Sequence, residues 1–227
     1  MHWQLPRSIA GSHQLAPLLT KGHTVKMYNS PSGSNPKKVR MYCAEKGIDL
    51  ELAHVSFGKE EHRSDNFKST INSLARLPVL ELDDGTMIAE SVAICRYLEE
   101  LHPEPPLFGN TPLERAQVEM WSRRMEMEVT VNISNILRHT SPFFATTVVQ
   151  VPEFADASRK TALQRFEWLN DELGDKTYLL GDRLTFADIN GYAGFVMMSQ
   201  VELEFDPKLT NLIRWYDNLA SRPSAEA

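Results

Sequence analysis

A proline-rich segment, HPEPPLFGNTP at residues 102–112, separates two parts of the chain that differ in periodicity. Before this segment, short apolar stretches typical of strands alternate with helical patterns, whereas after it the strand signals largely disappear. Because two strands joined by a crossover helix usually lie parallel in one sheet, the first part is predicted to be an α/β domain. The second part is predicted to be an all-helical bundle.

The first part contains predicted elements in the order βαβαββα, which is the order of a thioredoxin-like domain. Asn35 is the predicted N-cap of the first helix, Pro36 suits its first position, and Gly47 ends it. The predicted strands cover residues 24–28, 50–55, 79–82 and 86–88, and the predicted helices cover residues 36–46, 66–71, 91–101, 113–139, 153–173, 186–201 and 209–220.

These elements define the expected domain organisation. Residues 1–23 show no steady periodicity and are expected to form a flexible extension, which could also contain a docking segment. The expected domains are a thioredoxin-like domain at 24–104, a linker at 105–112 and an all-helical domain at 113–227.

Composition argues against several classes of function. The 227 residues carry a formal net charge of -6, which argues against nucleic acid or an anionic membrane as the main partner. No run of about 18 apolar residues could span a bilayer, and the N-terminus lacks the apolar core of a secretory signal. Cys43 and Cys95 lie far apart, which indicates a cytoplasmic protein without a disulfide framework or zinc ribbon. Both are predicted to be buried helix-face residues.

Leu77-Pro78 stands where a strand is predicted to begin. Proline lacks the N–H that a central strand needs, and an X–Pro bond can adopt the cis form, which turns the preceding backbone outward. The main chain of Leu77 could then pair with an extended peptide, as in strand addition. The alternative is an ordinary proline at a strand edge.

Glu90-Ser91 lies where the predicted hairpin passes into a helix. Ser91 suits an N-cap or first-turn position, and the free N–H groups of a helix N-terminus bind carboxylates. Glu90 would then face a ligand ammonium group. Together with Leu77-Pro78, this pair predicts a clamp for a small peptide.

Four segments carry a resemblance to a known family: LPVLELDDG, AESVAICRYLEE, GDRLTFADI and GKEEHRS. In this order they resemble the cytosolic glutathione transferases, from residue 24 to about residue 222. The resemblance implies glutathione as co-substrate, no metal, and a homodimer in which the thioredoxin-like part of one chain faces the helical part of the other. It also implies a folding role for the capping box of Thr185 and Asp188.

The resemblance assigns further residues to the glutathione site. His62 and Arg63 match the family's pair for the glycyl carboxylate, and Arg76 precedes the Leu-Pro motif. Arginine forks suit the carboxylates of an anionic tripeptide, although each of these residues could also be a solvated surface charge. Asn35 lies at a helix start whose positive end favours a thiolate nearby.

The group that activates the thiol is left open. Most such enzymes use a Tyr, Ser or Cys after the first strand, but here that place falls on Gly33, flanked by Ser32 and Ser34, which could serve. The chain also resembles the second type of fungal glutathione transferase and its bacterial relatives, in which this residue is glycine too.

In that subgroup, a water held by a Ser and a His one helical turn apart activates the thiol. The matching positions here are Ser134 and Arg138, with His139 adjacent. The arginine departs from the pattern, so Arg138 could stabilise the thiolate directly, or His139 could take the role of the histidine.

The resemblance implies a detoxification enzyme that conjugates the glutathione thiolate to small apolar electrophiles. The electrophile pocket is expected between the two parts, near Trp121, Met125 and Phe143–Phe144. Peroxide reduction is an alternative, because the same thiolate can attack an O–O bond. A non-catalytic glutathione-binding or scaffold protein is another, since Gly33 has no side chain and Arg138 stands where the subgroup has histidine.

Overall fold

The computed structural model describes residues 25–227, and it begins with a four-stranded mixed sheet in the order β2-β1-β3-β4. Strand β1 runs parallel to β2 and antiparallel to β3, and β3 runs antiparallel to β4. The strands are β1 (Val25–Asn29), β2 (Leu50–His54), β3 (Val79–Glu81) and β4 (Met87–Ala89). The predicted thioredoxin-like order is confirmed, whereas the expected flexible extension lies outside the described residues.

Three helices accompany this sheet: α1 (Ser34–Lys46), α2 (Asp65–Thr70) and α3 (Ser91–Leu101). A 3-10 turn, Glu61–Arg63, precedes α2. Gly47 ends α1 in the left-handed conformation, with φ of 64°, as predicted. The prediction of Asn35 as N-cap is wrong, because the extended residue before the helix is Gly33 and α1 begins at Ser34.

The second part is helical throughout: α4 (Pro112–Arg124), α5 (Val131–Thr140), α6 (Pro152–Leu173), α7 (Phe186–Phe195) and α8 (Thr210–Ala220). A π-helical segment, Met125–Thr130, joins α4 to α5, so the long helix predicted over residues 113–139 is confirmed with a local widening. Helix α7 is shorter than predicted, because the chain turns through a 3-10 segment at Met198–Gln200.

The π-helical segment packs closely against α7. A Cβ added at Gly194 would lie 2.1 Å from Thr130 Oγ1, and one at Gly191 would lie 2.6 Å from Met125 Cε. Met125 is fully buried in this contact, and Trp121 is 5% exposed. Both therefore belong to the core, and the expected electrophile pocket near them and near Phe143–Phe144 stays a prediction.

The start of α7 is stabilised by a buried carboxylate. Asp188 accepts hydrogen bonds from the Leu179 N–H at 2.8 Å, the Thr185 N–H at 3.0 Å and Trp215 Nε1 at 2.9 Å. The Thr185 hydroxyl donates a fourth, at 2.9 Å, and the predicted capping box of Thr185 and Asp188 is present.

The C-terminal residues attach the helical part to α1. Arg222 binds both carboxylate oxygens of Glu45, at 2.6 and 2.8 Å, and donates to the Tyr178 hydroxyl at 2.9 Å. A cluster of aromatic rings continues this contact, in which Phe186 of α7 meets Tyr42 of α1 edge to face at 6.0 Å. Helix α1 thus lies between the sheet and the helical part. Among residues 25–227, none of the helices is long and apolar enough to cross a bilayer.

Candidate functional site

Leu77-Pro78 stands immediately before β3, and the peptide bond between the two residues is cis. The Leu77 side chain is buried against Val55 and Phe67. Within residues 25–227, the Leu77 N–H and C=O have no hydrogen-bond partner. This main chain therefore retains the groups that a bound peptide would pair with.

The register of the hairpin places the second motif opposite the first. Val79 of β3 pairs with Ala89 of β4, so the residues just before β3 and those just after β4 leave the hairpin at the same end. Ser91 is the first residue of α3 and is 6% exposed. Glu90 precedes it with an unusual positive φ of 69° and an exposed side chain. Such backbone conformations outside glycine are concentrated at functional sites.

Lys38 connects this motif to the start of α1. Its ammonium group donates to Asn35 Oδ1 and to Ser91 Oγ, both at 3.1 Å. Lys38 is only 4% exposed, and this burial lowers its pKa, an effect that the negative charges of Glu126 and Glu90 oppose only in part. Asn35 and Ser91, predicted from separate motifs, are therefore brought together by a residue that the sequence reasoning missed. The sequence signal that could have identified Lys38 is its position one helical turn after Asn35, on the buried face of α1.

The loop between β1 and α1 contains Gly33. A Cβ at this position would lie 2.8 Å from Pro36 Cδ and 3.4 Å from the Phe57 ring, so the loop approaches its neighbours too closely for a larger residue. Ser32 is exposed and Ser34 half-buried, and neither side chain forms a hydrogen bond within the described part of the chain.

Arg40 holds this loop and was also missed. Its guanidinium is largely buried and donates to Asn29 Oδ1 at 2.5 Å, to the Ser30 carbonyl at 3.4 Å and to the Pro31 carbonyl at 3.2 Å. A guanidinium has five donors in a planar fork, so one side chain can bind several acceptors of a turn. Helix α1 thus fixes the conformation of this loop through the hydrogen bonds of Arg40.

His62 and Arg63 connect the loop after β2 to the segment after α5. The His62 ring is 6% exposed, contacts Phe57 edge to face at 4.9 Å and stacks on Phe143 at 6.5 Å. Its Nδ1 is buried without a hydrogen-bond partner among residues 25–227, and burial, followed by the charge of Arg63, lowers its pKa. Arg63 forms an ion pair with Glu60 and lies over the Phe143 ring at 5.2 Å. Their assignment to the glycyl carboxylate stays a prediction.

Arg76 lies on the surface directly before Leu77. Asn72 shapes the loop, since its amide donates to the Arg76 carbonyl at 3.0 Å and accepts from the Leu74 N–H at 3.0 Å. The Arg76 side chain has no partner within the described part, which is compatible with its predicted role and does not test it.

Helix α5 contains three of the five candidates for thiol activation, and the other two, Ser32 and Ser34, lie in or next to the loop after β1. Ser134 is half-buried and Arg138 exposed, and the structure gives neither side chain a hydrogen bond within residues 25–227. His139 is engaged elsewhere: Nδ1 accepts the Val151 N–H at 3.0 Å, and the ring contacts Phe154 edge to face at 5.0 Å. These contacts connect α5 to the start of α6. All three catalytic roles stay predictions.

With this geometry in place, comparison with known proteins identifies the class. The N-terminal domain family of glutathione S-transferases matches residues 27–106, and the C-terminal domain family matches residues 133–223. The chain belongs to the glutathione S-transferase family.

Individual relatives define its position in that family. Glutathione S-transferase 2 of Saccharomyces cerevisiae is 33% identical over 204 residues, which cover 88% of this chain and 87% of the yeast protein. The crystal structure of Gtt2 from that yeast superposes with a TM-score of 0.82 at 32% identity, covering 88% of this chain and 98% of the yeast chain. A class Gtt2 enzyme of Vibrio parahaemolyticus matches with a TM-score of 0.76 at 29% identity, covering 89% and 96% of the two chains. The resemblance to the fungal type is confirmed, and this homology supports transferase activity.

A longer protein shares the same fold in part. Elongation factor 1-gamma 2 of Oryza sativa is 32% identical over 203 residues, which cover 87% of this chain but 46% of the rice protein. The chain spans less than half of that relative, so the comparison concerns one part of it.

Proposed function

We propose that the protein conjugates the thiolate of glutathione to small apolar electrophiles. The observation that carries this proposal is the meeting of three groups at one end of the β3–β4 hairpin: the unpaired main chain of Leu77, the start of α3 at Ser91, and the exposed carboxylate of Glu90. The Leu77 main chain would pair with the cysteinyl residue. Ser91 and Glu90 would bind the carboxylate and the ammonium of the γ-glutamyl residue.

The glycyl end would lie towards the basic residues His62, Arg63 and Arg76. Arg63 suits this role because it already spans the gap to the segment after α5. A guanidinium binds a carboxylate through two parallel hydrogen bonds, which fixes the orientation of the peptide.

For thiol activation, the contacts within α5 favour Ser134 and Arg138. Their side chains have no partners within the described residues, whereas His139 Nδ1 already accepts a backbone N–H. The N-terminus of α1 would contribute in addition, since its unpaired N–H groups stabilise an anion beside Ser34. A thiolate formed there would attack the electrophile.

Two further features follow from the same proposal. Cys43 and Cys95 are free and buried, which supports a reducing, cytoplasmic location. Conjugation of small electrophiles would serve detoxification. A homodimer is typical of the family and is proposed here as well, together with the absence of a metal requirement.

The test is an assay of the purified protein with glutathione and a chlorodinitrobenzene-type electrophile, beside a hydroperoxide. We expect conjugation with the electrophile, and a reduced kcat with little change in KM for glutathione in Ser134→Ala and Arg138→Ala. Ser69→Ala, an exposed serine of α2, is the matched control. Turnover of the hydroperoxide alone would instead support the peroxidase alternative. Glutathione binding without either turnover would support the scaffold.

A further inference from the structure

A pocket of about 410 Å³ lies at the C-terminal end of α3, roughly 15 Å along this helix from Ser91. Its apolar lining consists of the rings of Phe108, Tyr97, Pro103 and Pro106. Phe108 is 4% exposed and Tyr97 is half-buried. The size and the aromatic lining are typical of binding sites. The pocket is therefore a surface separate from the site at the start of α3.

Two arginines of the pocket are already bound by the chain. Arg96 forms an ion pair with Glu119, and its guanidinium lies over the Phe108 ring at 4.8 Å. Arg115 donates to the carbonyl of Asn110 at 3.0 Å. Because both guanidinium groups have acceptors within the chain, neither favours an anionic ligand.

The carboxylates of the pocket are in a different state. Glu99 is bound by Lys46, with which it forms an ion pair at 2.6 Å. Glu100 and Glu104 are exposed, and within residues 25–227 neither forms an ion pair or a hydrogen bond. A guanidinium binds carboxylates through its planar fork and also stacks on aromatic rings. The pocket is therefore complementary to a segment in which an arginine follows apolar residues.

Such a segment precedes β1 in the chain. Residues 1–24 contain two cations, Arg7 and Lys21, and no Asp or Glu, whereas the whole chain has a formal net charge of -6. Arg7 ends the stretch WQLPR, in which a tryptophan, a leucine and a proline come before the cation. Tryptophan and arginine are among the residues that contribute most to binding at protein interfaces.

The pocket lies near the end of the sheet where these residues join β1. Lys46, in the last turn of α1, donates to the Pro105 carbonyl at 2.8 Å, and four residues later Leu50 begins β2 and pairs with Val25. Four residues span at most about 14 Å and paired strands are about 5 Å apart, so Val25 lies within about 20 Å of Lys46. A coil as long as the chain from Arg7 to Val25 spans about 23 Å on average. Arg7 can therefore reach the pocket.

We propose that residues 1–24 dock in the pocket of their own chain. The Arg7 guanidinium binds Glu100 and Glu104, and the apolar side chains before it pack against Phe108 and Tyr97. Because the lining comes from α3, the proline-rich segment and α4, a docked segment holds the two parts of the chain together at their junction. The inference does not depend on the reaction proposed above.

The experiment is disulfide cross-linking in the full chain under mild oxidation. Ser8→Cys places a thiol next to the arginine, and Asn110→Cys places one at the exposed edge of the pocket, while Cys43 and Cys95 are buried. The matched control pairs Ser8→Cys with Asp65→Cys, an exposed residue beyond the other end of β2. We expect the intrachain disulfide of the first pair to form at least about 10-fold faster, because docking raises the effective concentration of the two thiols.

Charge reversal then tests the contact with the arginine. Glu100→Lys combined with Glu104→Lys should slow the cross-linking of the first pair by at least about fivefold, because like charges repel across a contact. Glu167→Lys combined with Glu172→Lys reverses two exposed acids of α6 and should leave the rate within about twofold.

Equal rates for the two cysteine pairs, or a rate that the reversal at Glu100 and Glu104 does not change, would overturn the inference. Disulfide-linked dimers on a non-reducing gel would also overturn it, because the segment would then occupy the pocket of a second copy. Trypsin cleavage after Arg7 tests the chain without added cysteines. It should be at least about threefold slower in the native protein than in Glu100→Gln combined with Glu104→Gln, and equal rates would exclude docking.

Discussion

Asp188 and Lys38 are both buried charged residues near the start of a helix, yet their surroundings differ. The Asp188 carboxylate is fully buried and accepts four hydrogen bonds, from two backbone N–H groups, a threonine hydroxyl and the Trp215 indole. The Lys38 ammonium is almost equally buried but has two neutral acceptors and no ion pair within the described residues. The first charge is compensated by four donors of the chain, whereas the second contacts only two neutral oxygens within the described residues.

This difference predicts different effects on stability when the two charges are removed. A buried charge whose partners all belong to the chain contributes to folding, because its removal leaves those partners unsatisfied. A buried charge without a counter-ion costs stability in the free protein, and a ligand that supplied an opposite charge would stabilise the protein. Removing the charge of Asp188 should therefore lower the free energy of unfolding, whereas removing the charge of Lys38 should leave it unchanged or raise it.

The largest effect is expected for Asp188→Ala. It leaves the Trp215 indole and two backbone N–H groups without acceptors, and we expect a loss of about 3–5 kcal/mol in the free energy of unfolding. Urea denaturation would measure it, and glutathione affinity of the folded fraction should stay unchanged. Asp182→Ala, in the exposed part of the same segment, is the control and should stay within about 0.5 kcal/mol. Normal stability of Asp188→Ala would contradict the structural role.

Lys38→Met should show the opposite behaviour. Because a buried charge without a counter-ion is replaced by an apolar side chain, the free protein should keep its stability or gain up to about 1–2 kcal/mol. The rise in Tm that saturating glutathione produces in the native protein should shrink, as measured by thermal scans with and without the tripeptide. A clear loss of stability in the free variant, with a normal glutathione-dependent rise, would make Lys38 structural like Asp188.

Arg222→Ala tests an intermediate case, an ion pair that is only partly buried between the two parts of the chain. We expect a loss of about 1–2 kcal/mol, less than for Asp188, because both partners keep some solvent contact. Arg214→Ala is the comparison variant, since this arginine binds backbone oxygens and Asn211 on the exposed side of α8. An effect of Arg222→Ala no larger than that of Arg214→Ala would show that the ion pair does not hold the two parts together.

The ion pair of Glu45 and Arg222 also predicts how the stability of the protein depends on pH. Burial alone would raise the pKa of Glu45, but the hydrogen bonds from Arg222 and Ser224 outweigh it and hold this pKa below its usual value. The stability that the pair contributes is therefore present above the unfolded-state pKa of about 4.3 and is lost as the pH falls through the lower folded-state pKa. Arg222→Ala should remove this part of the acid dependence. If the free energy of unfolding of Arg222→Ala fell at acidic pH as steeply as that of the native protein, the assignment would be contradicted.

Glu90→Gln gives the smallest expected change, because the carboxylate is exposed. Loss of the charge that faces the ligand ammonium should weaken glutathione binding by about 10-fold, with stability within about 0.5 kcal/mol. Glutaryl-cysteinyl-glycine, which lacks the ammonium, should bind the native protein and the variant equally. Glu100→Gln, an exposed residue of α3, is the control. Native affinity for glutathione in Glu90→Gln would remove Glu90 from the site.

Much of the fold could be predicted from the sequence, since periodicity and local signals are properties of neighbouring residues. The helix at Ser91–Leu101 has the predicted bounds, and Gly47 ends α1 as expected. The prediction of Asn35 as the N-cap was wrong because an Asn-Pro pair indicates that a helix starts nearby without fixing its first residue. In the structure Gly33 is the extended residue before the helix, where a Cβ would lie 2.8 Å from Pro36 Cδ.

For the site, local motifs identified the Leu77-Pro78 and Glu90-Ser91 pairs but not the residue that joins them to Asn35. Lys38 had no motif of its own, and in sequence it differs little from Lys37 or Lys46. The contact of His139 with Val151 could not be predicted from the sequence either, because it depends on how α5 packs against α6.

By itself, the sequence determined the two-part architecture, the order of the strands and helices, and the family to which the chain belongs. The tertiary structure alone decided how each buried charge is compensated: four donors for Asp188, a carboxylate for Lys46, and two neutral oxygens for Lys38 within the described residues. The physical reason is that helix and strand signals arise between near neighbours in the chain. Compensation of a charge depends instead on distances between residues that only folding brings together, such as Lys38 and Ser91.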